Sequence, residues 1–185
     1  MELKFEELPY QLDAVNAVAN LFAGQPNHAR TFDLTSQGTG RFVGNGLDLD
    51  WETLGRNLNV VQKQNGQPET EIGAHGLNFS LEMETGTGKT YVYLRTIYEL
   101  NRSYGWKKFV IVVPSVPIRE GVLKSLEIMK AHFDGVFGRP VMRYAEYSSD
   151  RLSDLRAFAV NDHIEILVIN IQSFEKDGNV INKVN

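Results

Sequence analysis

The residues most capable of chemistry are Met83-Glu84-Thr85-Gly86-Thr87-Gly88-Lys89-Thr90. Two glycines, a lysine and a hydroxyl fall at the spacing of a phosphate cradle, in which several backbone N–H groups converge on one anion. Gly86 and Gly88 let the chain curl without a Cβ in the way. Lys89 is the expected catalytic cation, within reach of the β- and γ-phosphates of ATP, and the Thr90 hydroxyl is the expected ligand for the accompanying Mg²⁺. Glu84, Thr85 and Thr87 complete the nucleotide-binding loop. The general pattern has glycine at its first position, where this chain has Met83. A glycine-rich turn with a surface lysine is the bland alternative. The order of elements around the loop argues against it.

That order is strand, loop, helix. Leu77-Asn78-Phe79-Ser80-Leu81 alternates as a strand does, and Lys89 to Ser103 carries Tyr91, Leu94 and Tyr98 at helical spacing. The tyrosines Tyr91, Tyr93 and Tyr98 read as packing rather than a ligand cage. Upstream, Pro9 to Phe22 predicts a helix with Leu12, Val15, Ala19 and Phe22 on one face. From Asn27 to Gly76 the chain turns polar and loop-rich, with Ser36 to Gly40 and Gly44-Asn45-Gly46 as turn-formers. Within it, Asp50 to Gln64 predicts a short helix capped by Asp50, with Leu54, Leu58 and Val61 on one face. Thr39-Gly40-Arg41 is not read as a second phosphate loop, because no strand precedes it.

Downstream the chain alternates. Strands are expected at Lys108 to Val113, at Pro140 to Tyr144 and at Ile164 to Ile169, and helices at Ser115 to Phe133 and Ser149 to Val160. The apolar run Phe109 to Val113 gives the first strand the pattern of a parallel strand buried on both faces, and Ile164 to Ile169 is read as another buried strand. Lys176 to Asn179 reads as a turn. The fold class is therefore α/β, a doubly wound parallel sheet with its ligand site beyond the carboxyl ends of the strands. The expected division is an N-terminal helix over 1–24, an insertion over 25–76, and an incomplete nucleotide-binding domain over 77–185.

Composition narrows the classes. An apolar fraction of 42% and a charged fraction of 23% are those of an ordinary globular chain. There is no cysteine, so disulfides and thiolate metal sites are excluded. The four histidines, His28, His75, His132 and His163, show no ligand spacing and read as surface or loop residues. No apolar run is long enough to span a bilayer, and the acidic start, Met1 to Glu7, is no secretory signal, so the chain reads as cytoplasmic with no membrane partner. The net charge of −4 supplies no bulk field for nucleic acid, so a DNA contact requires a local patch.

Hydrolysis of ATP also needs a carboxylate for Mg²⁺ at the end of a buried strand. The strand from Ile164 ends in Asn170, and the strand from Lys108 runs into Pro114-Ser115. Asp177 follows a polar turn. The expectation is a cradle whose acidic partner lies beyond these residues, so that residues 1–185 alone bind nucleotide without turning it over.

Together these motifs resemble superfamily 2 helicases and translocases of the DEAD/DEAH type, and most of all the restriction (Res) subunit of type III restriction–modification enzymes. Phe79 to Tyr93, including Met83-Glu84, is similar to that family's first motor motif. Val113-Pro114-Ser115-Val116-Pro117-Ile118-Arg119-Glu120-Gly121 resembles its motif Ia, and Ile169-Asn170-Ile171-Gln172-Ser173-Phe174 the motif before the acidic box. Leu8-Pro9-Tyr10-Gln11-Leu12-Asp13-Ala14-Val15 is similar to the glutamine motif.

The resemblance implies a RecA-like P-loop fold and an incomplete first motor domain. It implies that Gln11 hydrogen-bonds the adenine edge with Tyr10 packed nearby, that Glu84 to Thr90 hold ATP and Mg²⁺, and that Ser115 and Arg119 touch the backbone of a tracked DNA strand. The bland readings are that Tyr10 and Gln11 start a helix, that Ser115 caps one, and that Arg119 is solvated. The implied partners are double-stranded DNA, a DNA methyltransferase (Mod) subunit and the remainder of a longer Res chain bearing an acidic box, a second motor domain and a nuclease. In that topology the acidic-box strand lies beside Leu77 to Leu81, where an open slot exposing backbone and apolar surface is expected. The alternatives are a stand-alone DEAD/DEAH-type helicase of another role, a non-catalytic nucleotide-binding module and, distantly, a small-molecule kinase.

Overall fold

The computed structural model describes residues 5–27, 42–73 and 77–174. The Ser36 to Gly40 stretch, Thr39-Gly40-Arg41, His28, His75, Asp177 and the turn at Lys176 to Asn179 lie outside the described residues. The chain divides into two compact units, one of residues 4–29 and 46–105, the other of 1–3, 30–45 and 106–185.

The first unit is helical. Helix α1 spans Pro9–Asn20, with proline in its first turn, where a missing N–H costs nothing. Its buried positions are Gln11, Ala14, Val15 and Ala19. Helix α2, Trp51–Gln64, starts at the expected cap, since the Asp50 side chain accepts from the Thr53 N–H at 2.7 Å. Leu54 and Val61 point inward. Helix α3, Lys89–Tyr104, ends at Gly105 with φ +72, the left-handed stop that glycine adopts without strain. Ala14 and Val15 of α1 pack on Val92 of α3, with Met83 against them. The described residues just after α1 are tied to those around α2 by side-chain amides. Asn57 donates to the carbonyls of Leu21 and Ala23, both at 3.0 Å, and Gln25 accepts from the Asp48 N–H at 2.9 Å.

Tyr91 and Tyr98 are core residues, 5% and 1% exposed. Arg95 is also buried, its guanidinium donating to Glu7 and to the Tyr91 hydroxyl, each at 2.7 Å. Burial alone would lower its pKa, but these partners outweigh that and hold it above its ordinary value.

Leu77 to Leu81 departs from expectation, for it forms no strand. All three described strands belong to the other unit, so its alternating pattern finds no ladder in its own. The slot expected beside it is therefore absent as such, although Leu81 is exposed.

The second unit is a parallel sheet with its crossover helices. Strand β1, Lys108–Val113, leads into helix α4, Val116–Phe137; strand β2, Met142–Glu146, leads into helix α5, Leu152–Val160; strand β3 is Ile164–Asn170. The order is β1-β3-β2, with Val113 opposite Asn170 and Glu146 opposite Val168. Central β3 is buried along its whole length, as a strand with a neighbour on each side and mostly apolar side chains can be, and it takes Glu165 and Asn170 in with it. Edge strand β1 is not. Val110 and Val112, two residues apart and so on one face, are about half exposed at 50% and 49%, because that face of β1 is incompletely covered. Val122, Leu126 and Phe133 form the buried face of α4. Tyr147, Leu167 and Ile169 make a core cluster closed by Ala145, Leu155 and Phe158. Strand β2 begins and ends two residues later than expected, and α5 starts at Leu152 rather than Ser149.

Candidate functional site

The phosphate loop has the backbone that its sequence requires. Gly86 and Gly88 hold φ of +83 and +87, values an L side chain adopts only with strain. The Thr87 hydroxyl donates to the Glu84 carbonyl at 2.6 Å and closes the turn between them. Gly88 is the N-cap residue of α3, and no side chain caps that end. The N–H groups of the first turn are thus left for an anion, and the helix dipole favours one there. A Cβ on Gly86 would point into open space, so the loop is unobstructed on that side.

Lys89 and Thr90 open the helix. Lys89 is exposed and has no hydrogen bond or ion pair among the described residues. Thr90 is half-buried beside Tyr93. Burial pushes the Tyr93 phenol up, with the Thr90 side chain pulling the other way. Glu84 and Thr85 are exposed. This donor set fits a polyphosphate: an uncapped helix start, an unpaired lysine and a threonine hydroxyl. No group of three or more His, Asp or Glu among the described residues forms a metal cage. A hydrated Mg²⁺ that takes most of its ligands from phosphate and water does not need one.

Tyr10 and Gln11 meet this loop. The Gln11 side-chain amide donates to the Thr87 carbonyl at 2.9 Å, and the Tyr10 hydroxyl donates to the same oxygen at 3.1 Å. Gln11 is buried and lies so close to Gly88 that a Cβ there would collide with its amide nitrogen. Both residues therefore do more than start α1. They fix the carbonyl between the two glycines. The sequence assigned them a ligand contact and missed this one. The signal available was the amide itself, a strong hydrogen-bonding group on the otherwise apolar face of a helix.

Within the sheet unit, parallel pairing places the carboxyl ends of β1, β2 and β3 along one edge. Ser115 is the N-cap residue of α4, yet its hydroxyl makes no capping bond and no other hydrogen bond among the described residues. Gln172 donates to the Pro114 carbonyl at 3.3 Å, joining the segment after β3 to that after β1. Arg119 is not solvated. It contacts Glu146 at 2.6 Å and Glu120 at 3.0 Å, with its side chain 18% exposed. Glu146 ends β2 and also receives Arg151 at 3.6 Å. Neither Glu146 nor Arg151 was singled out from sequence. Glu146 was detectable as an acid ending a strand at the edge where such sheets bind ligands.

Glu165 is the buried acid of β3, but it lies at the amino end, where Asn161 donates to it at 2.6 Å. β3 thus brings Asn170 to the edge and no carboxylate. No helix among the described residues is long and apolar enough to cross a membrane.

Comparison with known sequences agrees with these motifs. The family model described as "Type III restriction enzyme, res subunit" matches residues 4–184. The Res subunit of the type III restriction-modification enzyme EcoPI, from Escherichia phage P1, is 33% identical over 143 residues, covering 75% of this chain and 14% of that protein. The EcoP15I Res subunit of Escherichia coli is 34% identical over 144 residues, with the same coverage. The StyLTI Res subunit of Salmonella typhimurium is 61% identical over 58 residues, 30% of this chain and 6% of that one. The chain thus spans about a seventh of the length of the first two relatives. On a match that runs almost end to end, the chain belongs to the type III restriction enzyme Res subunit family.

Proposed function

We propose that this chain is the ATP-binding portion of a DNA-dependent motor within a type III restriction endonuclease. The observation that carries the reading is the loop: Gly86 and Gly88 in left-handed backbone, leading into an uncapped helix that presents a Lys89 unpaired among the described residues. In this reading the N–H groups around Gly86 to Thr90 hold the phosphates. Lys89 neutralises charge developing on the transferred phosphoryl group. Thr90 ligates Mg²⁺, which when bound polarises the terminal phosphate. Glu84, Thr85 and Thr87 shape the loop.

Gln11 directs its amide N–H groups at the Thr87 carbonyl, at 2.9 Å, and the Tyr10 hydroxyl, at 3.5 Å, and keeps its carbonyl for adenine, while Tyr10 packs beside it. Adenine recognition and loop position are then coupled through one side chain. Ser115 and Arg119 contact the DNA backbone without reading sequence. The chain divides as a glutamine-motif helix over 1–24, an insertion over 25–76 and a partial RecA-like domain over 77–185. The intact enzyme supplies the acidic box, a second motor domain and a nuclease, acts on double-stranded DNA in the cytoplasm and works with a Mod methyltransferase subunit.

The test is Lys89→Ala in the intact enzyme. DNA-stimulated phosphate release should fall to background. Turnover near that of the unaltered enzyme would remove the nucleotide-loop reading.

A further inference from the structure

The sheet edge holds a second cationic group whose partner is unexpected. Arg119 comes from the first turns of α4, after β1, and Arg151 is the N-cap residue of α5, after β2. They approach the two oxygens of one carboxylate. Arg119 Nη1 is 2.6 Å from Glu146 Oε1, and Arg151 Nη2 is 3.6 Å from Glu146 Oε2. Outer carboxylates complete the group, with Glu120 at 3.0 Å from Arg119 and Asp154 at 3.7 Å from Arg151. The Glu146 side chain is 30% exposed and Arg151 is 52% exposed, so solvent reaches the junction. The Arg119 Nε–H is buried and has no acceptor among the described residues.

Two planar guanidiniums converging on two anionic oxygens is the arrangement by which proteins hold a phosphate. Here a glutamate fills it. Two arginines against Glu146, Glu120 and Asp154 leave the cluster with a formal charge of −1. An added phosphate would be repelled unless a carboxylate withdrew. Glu146 is held by charges that are partly in water, where an ion pair is weak and exchangeable. A DNA phosphodiester has the same charge and also two terminal oxygens. Its neighbours along the strand add attraction that an isolated carboxylate lacks.

We propose that Arg119 and Arg151 form a two-arginine clamp for one DNA backbone phosphate, and that Glu146 occupies this clamp when DNA is absent. The inference rests on the reading that Arg119 faces DNA, and it adds Arg151 as a binding residue and Glu146 as the stand-in.

The experiment measures anisotropy of a labelled non-specific duplex with the intact enzyme, without nucleotide, from about 50 to 200 mM salt. Arg151→Ala should weaken binding and flatten the slope of log affinity against log salt by a measurable part of about 0.9, the value of one whole phosphate contact, because Arg119 remains on the same phosphate. Arg151→Lys should keep most of the slope, because it keeps the charge. Glu146→Gln should tighten binding at low salt by roughly fivefold or more, the order of one unit charge near a surface. If Arg119→Ala weakens binding while Arg151→Ala leaves the slope unchanged, the clamp is wrong and the DNA-facing edge survives. If Arg119→Ala changes nothing, the edge itself is misassigned. Weaker binding by Glu146→Gln would show that the carboxylate builds the clamp rather than filling it, and the stand-in role would fall.

Discussion

Lys89 and Arg119 are both cations at the start of a helix that follows a phosphate-type or strand-end turn, yet they are held in opposite ways. Lys89 is exposed and unpaired among the described residues, on a loop shaped by backbone. Arg119 is four-fifths covered and bound to two carboxylates. The loop can take an anion without breaking any contact, because its donors are N–H groups left over from helix geometry. The sheet edge can take one only by exchange. If this loop holds ATP as proposed, it is ready whenever ATP is present. An edge built from ion pairs responds to whichever anion competes best, and so to salt and, in the proposed reading, to DNA.

The largest effect that would test this contrast is loss of the unpaired cation. Lys89→Ala should reduce ATP turnover of the intact enzyme by at least about a hundredfold, as removal of a preorganised charge does elsewhere. An equal loss from Arg119→Ala measured without DNA would erase the distinction, since that residue should matter only when DNA is bound. Next comes the loop backbone. Gly86→Ala places a side chain in left-handed backbone at a cost of about 1–2 kcal/mol, so the Kd for ATP should rise about five- to thirtyfold. Gly88→Ala should do more, because its Cβ also displaces the Gln11 amide. The reverse ranking by isothermal titration would show that Gln11 yields freely.

A smaller effect belongs to the shared acceptor. Gln11→Ala removes one of two donors from the Thr87 carbonyl and should cost about 1 kcal/mol in ATP affinity. Tyr10→Phe alone should cost less, since its hydroxyl lies in an exposed contact. The double variant should lose more than the sum, because only then is the carbonyl without a partner; strict additivity would mean the two donors act separately.

The smallest effect lies at α2. The Thr53 backbone N–H and side chain hold the Asp50 carboxyl below its ordinary value of 3.8. Folding thus favours the carboxylate, so its contribution is complete above pH 3.8 and fades as pH falls through the lower folded value. Asp50→Asn keeps the cap and should lose that acid dependence, which hydrogen exchange in the first turn of α2 can follow.

Much of this was legible because it is local. The β3 run and the Asp50 cap are each specified by a few neighbouring residues, and both form where the pattern places them. The glycines of the loop announce their positive φ in the same way. The departures are non-local. The alternation of Leu77 to Leu81 states a preference for one buried face, but a strand also needs a backbone partner, which no short window contains. The apolar run of β1 cannot reveal that the strand lies at an edge. Glu146 meets Arg119 only because β2 and β1 run parallel on either side of β3. Gln11 meets Thr87 only because α1 packs on α3. Side chains that act across such distances are set by topology, and topology emerges only once the elements are assembled.

Helix α4 has a consequence of its own. It runs without interruption from Val116 to Phe137, and Gly138 halts it with φ +75. At 1.5 Å per residue it is a rod of about 33 Å. Arg119 is near one end, while Phe133 is buried near the other. A phosphate that pulls on Arg119 therefore pulls on a stiff beam whose far end is seated in the core. In the proposed reading, strand engagement would reach Phe133, about 21 Å along the axis, through the helix and the buried Val122 and Leu126 between them.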